Sequence, residues 1–258
     1  MTYRYAVDRV DRTDLASGSV LRSAPGFPAF PVRLASEVFQ RAAALRGSAG
    51  RLTVWDPCCG SGYLLTVLGL LHRDRIGAVL GSDAAEAALP LAGANLGLLL
   101  AGGLRARQRE LAALADAHGR PSHLAAVAAA GRLADEVEAA GEDPEVVTAT
   151  ADVFRPDRLA EALAGRSPDL VITDVPYGDQ TEWSGAPAGV EPLPAMLTSV
   201  ASVLPADAVL AVACRARRVP LGGLPRIGSL RVGTRAVALL RAGDLRAVDF
   251  WLEQRPRP

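Results

Sequence analysis

Four acidic residues stand where apolar runs end: Asp56 after Leu-Thr-Val-Trp, Asp83 after Ile-Gly-Ala-Val-Leu-Gly-Ser, Asp152 after Val-Val-Thr-Ala-Thr-Ala, and Asp174 after Leu-Val-Ile-Thr. A carboxylate at the carboxyl end of a strand lies on the edge where open α/β sheets take up ligands. Any one of them could simply cap a helix. Four in the same position, with a glycine turn beside the first, point to one shared site. That turn is Pro57-Cys58-Cys59-Gly60-Ser61-Gly62-Tyr63. Gly60 and Gly62 let the chain bend tightly and bring backbone N–H groups close to a ligand at the start of the next helix. Leu65 occupies the place of the third glycine in a dinucleotide fingerprint, so a nicotinamide cofactor loses ground. Asp83 is placed to accept the two hydroxyls of a ribose, and Asp152 to accept from an adenine amino group. Asp174 is followed by Val175-Pro176-Tyr177-Gly178, which sets a charge, a fixed bend and a flat ring at one lip of the sheet.

The elements that must hold these residues alternate. A helix over Leu34–Leu45 precedes the strand Leu52–Asp56, a helix over Gly62–Arg73, the strand Ile76–Asp83 and a helix from Ala85 to Leu100. Alternation resumes with the strand that runs into Asp152, a helix at Pro156–Leu163, the strand to Asp174, a helix around Pro194–Leu204 and the strand Ala208–Cys214. This pattern predicts an α/β fold, a doubly wound and mostly parallel sheet. Between about 103 and 146 lie two alanine-rich helices broken at Gly-Arg-Pro-Ser-His, too long for an ordinary crossover and read as a helical insertion. The tail Arg235–Gln254 reads as two strands joined at Ala242-Gly243-Asp244, an antiparallel edge hairpin. The chain thus divides into an N-terminal approach segment and helix, 1–50, and a main domain, 51–258, that carries the insertion.

Composition removes several chemistries. All 28 basic residues are arginine. Without lysine there is no phosphate-loop lysine, no Schiff base and no kinase-type ATP-pairing lysine. Cys58, Cys59 and Cys214 are an odd set with no disulfide framework, which favours a reducing cytoplasm. His118 and His123 read as loop residues without cysteines at metal spacing, so no metal is expected. The N-terminus lacks an apolar signal region, and the uncharged run Ala87–Leu104 contains Pro90 and Asn95, so a soluble, cytoplasmic protein without a membrane partner is expected. Net charge is zero overall yet unevenly spread: +4 over residues 1–55, −10 over 56–200 and +6 over 201–258. Basic ends of this kind suit phosphates as well as they suit solvent.

Taken in order, Asp-Pro-Cys-Cys-Gly-Ser-Gly, Gly-Ser-Asp, Ala-Asp-Val-Phe and Asp-Val-Pro-Tyr-Gly resemble the four motifs of the Rossmann-like S-adenosylmethionine-dependent methyltransferases. The resemblance implies S-adenosylmethionine as cofactor, with Asp56, Cys58, Gly60, Gly62, Tyr63, Asp83, Asp152 and Val153 around it. Asp-Pro-Pro-Tyr-type motifs imply methylation of an exocyclic amino nitrogen or a glutamine amide, and the Asp-x-Pro-Tyr-Gly form is similar to RNA guanine-N2 methyltransferases. The insertion, the Pro-Gly-Phe-Pro segment and the composition resemble the AviRa-type avilamycin-resistance methyltransferases. That family implies a guanine of 23S rRNA in the large ribosomal subunit, modified so that orthosomycin antibiotics bind poorly. On this reading Asp174 and the main-chain carbonyl of Val175 hold the two hydrogens of an exocyclic amine so that its lone pair faces the methyl donor. Pro176 stiffens the turn, and Tyr177 offers a stacking face. Val175 departs from the usual proline; it keeps the carbonyl and loses rigidity. Trp183 is a candidate to close over the nucleotide, Arg215, Arg217 and Arg218 are candidates for phosphate, and Phe27, Phe30 and Arg33 for covering the cofactor. Competing readings are adenine-N6 or protein glutamine-amide methylation, and a non-catalytic nucleic-acid-binding module.

Overall fold

Strands with period-two alternation build a seven-stranded sheet clothed on both faces. The structure, a computed structural model, describes the chain apart from residues 1, 2, 16, 17, 48, 49, 176–182, 184 and 254–258 and the side chains of 248–253. In chain order the elements are α1 (Val32–Arg46), β1 (Leu52–Asp56), α2 (Tyr63–Leu71), β2 (Ile76–Asp83), α3 (Leu89–Leu96), α4 (Gly103–His118), α5 (Pro121–Ala139), β3 (Glu145–Thr150), α6 (Pro156–Leu163), β4 (Leu170–Asp174), α7 (Pro192–Ser202), β5 (Val209–Cys214), β6 (Gly228–Val232), β7 (Arg235–Arg241) and α8 (Ala242–Glu253).

The strand order is β3-β2-β1-β4-β5-β7-β6. The first five strands run parallel, and β7 and β6 complete the sheet antiparallel. Chain direction through the sheet reverses between β1 and β4, which is the switch point where doubly wound sheets open a crevice at the carboxyl ends of the strands. Alternation sends Val54, Leu170 and Ile172 to a core shared with α1–α5, and Trp55, Val171 and Leu210 to a core shared with α6–α8.

Two elements differ from the sequence reading. The edge hairpin is real but lies one strand earlier: β6 and β7 turn at Gly233-Thr234, and the segment read as a second strand is α8. Gly243 and Asp244 resemble a turn locally. In the fold Asp244 sits in the first turn of α8, where the helix dipole favours a carboxylate. Gly243 donates to the Ala206 carbonyl at 2.9 Å, and a Cβ there would meet that same oxygen at 2.9 Å. Close packing, not a reversal, demands the glycine. The helix expected over Ala85–Leu100 is also broken, into a 3₁₀ turn at Glu86–Ala88, α3, and a second 3₁₀ turn at Gly97–Leu99. Pro90 has no N–H to donate and is tolerated in the first turn of α3. Among the described residues no single helix is long and apolar enough to cross a membrane; one helix pair that passes together, Glu86–Leu99 with Gly103–His118, is bent by 114°.

The N-terminal segment is strapped across this frame by polar contacts. Buried Glu37 of α1 accepts the backbone N–H groups of Arg4, Tyr5 and Ala6. Burial alone would raise its carboxyl, yet these donors and Arg41 outweigh it and hold it below the usual range. Buried Asn95 accepts from Arg22 N–H and donates to the carbonyls of Arg22 and Ser61. From the helical hairpin, Arg107 donates to the carbonyls of Ser19 and Val20, and Arg132 pairs with Asp14.

Candidate active site

At the switch point a cavity of about 480 Å³ opens over the carboxyl ends of β1, β2 and β4. Its floor is the glycine turn. Gly60 (φ +51°) and Gly62 (φ +70°) both occupy the left-handed region, and a Cβ on Gly60 would lie 2.9 Å from the Phe27 ring. Gly62 begins α2 and donates its N–H to the Cys59 carbonyl. No side chain other than hydrogen fits this cradle without strain.

Three of the four predicted carboxylates line the cavity: Asp56, Asp83 and Asp174. Asp56 is 2 % exposed and accepts the Cys58 N–H at 3.1 Å. Burial pushes its carboxyl up to about 7, and the charges of Asp83 and Asp174 act in the same direction. Asp83 accepts Gly60 N–H at 2.8 Å on one oxygen and Ala85 N–H at 2.9 Å on the other. A carboxylate has about four lone-pair sites, so two remain for a ligand. Asp83 therefore ties the turn to the end of β2 as well as facing the cavity. Asp152 does not line the cavity. Its carboxylate accepts Phe154 N–H at 2.9 Å and lies against Gly185, while its neighbour Val153 faces the cavity.

Asp174 is the carboxylate with a cation beside it. Arg235, 6 % exposed at the start of β7, donates from Nη2 to Asp174 Oδ2 at 3.0 Å, and its guanidinium lies 4.9 Å over the Phe30 ring. Burial still leaves the Asp174 carboxyl above its ordinary value; the bond and charge of Arg235 pull the other way without cancelling it. Nothing in the sequence reading singled out Arg235. Placing the hairpin at Ala242–Asp244 hid it; with β7 starting at Arg235, the pairing of Cys214 with Ala236 sets Arg235 at the same edge as Asp174.

Val175 lines the cavity and donates its N–H to Ala213 O at 2.9 Å, which extends the β4–β5 ladder past the strand end. Pro176 and Tyr177 lie outside the described residues. Phe27, Phe30, Trp183 and Arg215 all line the cavity, and Trp183 meets Phe154 edge-on at 5.8 Å. Phe154 is thus a support for Trp183 that the motif Ala-Asp-Val-Phe contained and the reading passed over. Arg33 does not cover the cavity. It donates to the carbonyls of Ala6 and Val7 and stacks on Tyr3, so it pins the N-terminus. Arg217 and Arg218 face a separate groove. Tyr63 lines the cavity, but its hydroxyl donates to Leu15 O at 2.8 Å.

The three cysteines carry no thiolate character: burial raises Cys58 and Cys59, and Cys214 is pushed up to about 11. His118 and His123 sit at the end of α4 and in the first turn of α5, not in a loop, with ring centroids 5.9 Å apart. The site is therefore a carboxylate-lined cavity with an amide cradle below, aromatic rings above, and one carboxylate–guanidinium pair at the lip. It suits a ligand that carries positive charge together with hydroxyls and a flat ring.

A family model described as rRNA methyltransferase AviRa matches residues 1–235. A curated protein of Streptomyces viridochromogenes, 23S rRNA (guanine(2535)-N(1))-methyltransferase, is 51% identical over 244 residues, covering 94% of this chain and 97% of that protein. Two solved structures of the rRNA methyltransferase AviRa from Streptomyces viridochromogenes superpose with TM-scores of 0.89. One is 49% identical and covers 96% of this chain and 99% of its own; the other is 48% identical and covers 99% and 100%.

Proposed function

The chain belongs to the AviRa family of rRNA methyltransferases, and we propose that it uses S-adenosylmethionine to methylate a guanine of 23S rRNA at ring nitrogen N1. The observation that carries this reading is the Asp174–Arg235 pair at the lip of a cavity that Asp56 and Asp83 also line. The acceptor atom moves from the exocyclic N2 expected above to N1, the atom for which the 51% identical relative is named.

The cofactor supplies an electrophilic methyl group on a sulfonium. Asp83 would offer two remaining lone-pair sites to ribose hydroxyls, the side-chain-free Gly60 and Gly62 would let the cofactor approach the backbone closely, and Asp56 would meet a cationic amine. A cation entering the cavity would relieve the mutual repulsion of Asp56, Asp83 and Asp174, which fits such a group. Asp152 is left with a supporting role beside Val153.

Guanine N1 bears one hydrogen, and its electron pair is committed to the ring until that proton leaves. A single acceptor is then enough, and it must be a base. Asp174 has that role: burial raises its proton affinity, and the hydrogen bond and charge of Arg235 act against that rise in favour of the carboxylate. As the proton passes to Asp174, its negative charge is lost and the guanidinium of Arg235 faces the charge that develops on the base. Phe30 supplies an aromatic face against the Arg235 guanidinium, and Trp183 adds a second ring to the cavity wall. Modification of this guanine would weaken orthosomycin binding and protect the cell that carries the enzyme, which acts on the large subunit in the cytoplasm.

The test is transfer of label from S-adenosylmethionine to protein-free 23S rRNA or large subunits, followed by separation of N1- and N2-methylguanosine from the digest. N1-methylguanosine at one position, with raised avilamycin tolerance in cells, is the expected result. Label in protein or DNA, or no binding of cofactor by calorimetry, overturns the reading.

A further inference from the structure

We propose that a second, arginine-lined groove at the β6–β7 edge holds the phosphate backbone of the rRNA strand flanking the target base; this rests on the rRNA reading above. The groove encloses about 290 Å³ and is walled by Arg217, Arg218, Arg226 and Arg231, all exposed. Its floor follows from register: Arg231 lies opposite Ala236 and Ser229 opposite Ala238, so small side chains leave a trough between the guanidinium groups. No carboxylate lines it among the described residues.

Many arginines elsewhere on the surface are answered by acids, while those unpaired among the described residues, such as Arg9 and Arg120, are not gathered in this groove. Arg105 pairs with Asp135 and Glu138, Arg155 with Asp157, and Arg166 with Glu145. The four groove arginines have no ion-pair partner among the described residues. Four like charges gathered without counter-charge repel one another, and an anion is what relieves them. Guanidinium forks match the paired oxygens of a phosphate. The groove also adjoins the lip. Arg215 lines the catalytic cavity, while Arg217 and Arg218 line the groove; three residues of extended chain span at most about 11 Å. A strand whose base enters the cavity would therefore bring its neighbouring phosphates over these arginines.

Binding of protein-free 23S rRNA and of assembled large subunits from cells lacking the enzyme, measured against salt concentration, tests this. Each arginine replaced by glutamine should lower the slope of log affinity against log salt by about 0.7. The quadruple variant (Arg217→Gln, Arg218→Gln, Arg226→Gln, Arg231→Gln) should bind RNA at least ~10-fold more weakly at physiological salt. Its cofactor affinity and thermal midpoint should stay those of the wild type. An unchanged slope in the variant, with the wild type binding RNA, overturns the groove alone. A loss confined to assembled subunits assigns the face to a ribosomal protein and overturns it too. A wild type that binds no rRNA overturns the rRNA reading itself, and the groove with it.

Discussion

The parallel half of the sheet and its antiparallel edge handle charge in opposite ways. Among the described residues, carboxylates converge over β1, β2 and β4 on a cavity whose lining holds one arginine, Arg215, and arginines converge over β6 and β7 on a groove without acids. The acidic region crowds like charges around Asp56 and raises its carboxyl. The basic region crowds them around Arg217–Arg231. Each is electrostatically incomplete alone, and the complement each requires has opposite sign. A cationic methyl donor and an anionic nucleic acid can thus be held side by side without competing for one site. Arg235 and Asp174 join the two regions, since β7 contributes to both.

Breaking the junction should have the largest effect. Asp174→Asn should lower kcat by about 10²–10⁴-fold, the usual span for a lost general base, while cofactor affinity measured by calorimetry stays near wild type. Equal loss of both would erase the division between base and cofactor residues.

Arg235→Ala should come next, at roughly 10–100-fold in kcat/KM. Without the guanidinium, the half-buried Asp174 carboxyl rises further, so the acidic limb of the pH–rate profile should move to higher pH. Arg235→Lys should restore part of the rate. A profile that keeps its shape in Arg235→Ala would show that the arginine serves packing alone.

Asp56 sharpens the acidic side. Its folded carboxyl stands at about 7 against 3.8 in the reference state. Between those values the folded chain keeps a proton that the unfolded chain releases, so this group's stabilisation is complete at low pH and is lost as pH rises through about 7. Asp56→Asn should therefore raise the thermal midpoint at pH 8, on the order of 5 °C for a chain of this size. The same variant should bind S-adenosylmethionine poorly, and wild-type affinity should fall as pH drops below about 7, where Asp56 is protonated. A midpoint that falls at pH 8 would refute the charge argument.

The smallest effect belongs to the straps. Arg107→Ala with Arg132→Ala frees Asp14, Ser19 and Val20 from the helical hairpin. Exposed ion pairs contribute up to about 1 kcal/mol, so the cofactor KM should rise only a few-fold as Phe27 and Phe30 lose their seating. An unchanged KM would make the hairpin irrelevant to the cavity.

The parallel half was legible because its signals are local. Ile76–Asp83 reads as a strand from its own residues, and the glycine turn announces itself beside Asp56. The edge was read less well. Gly243-Asp244 looks like a turn in isolation, and only contact with Ala206, far off in sequence, reveals why a glycine stands there. Asp152 shows the converse: it has the right strand-end position, yet its carboxylate turns to Phe154 N–H.

By itself, then, the order of residues determined the alternating strands and helices, the acidic strand ends and the exclusion of lysine chemistry, because periodicity and composition act over a few residues. The fold alone decided which charges meet. Asp174 and Arg235 are 61 residues apart, and Asp14 and Arg132 are 118 apart. Such pairs exist only once the sheet has aligned their elements, since side-chain ionic contacts depend on a few ångströms of separation and carry no signature along the chain.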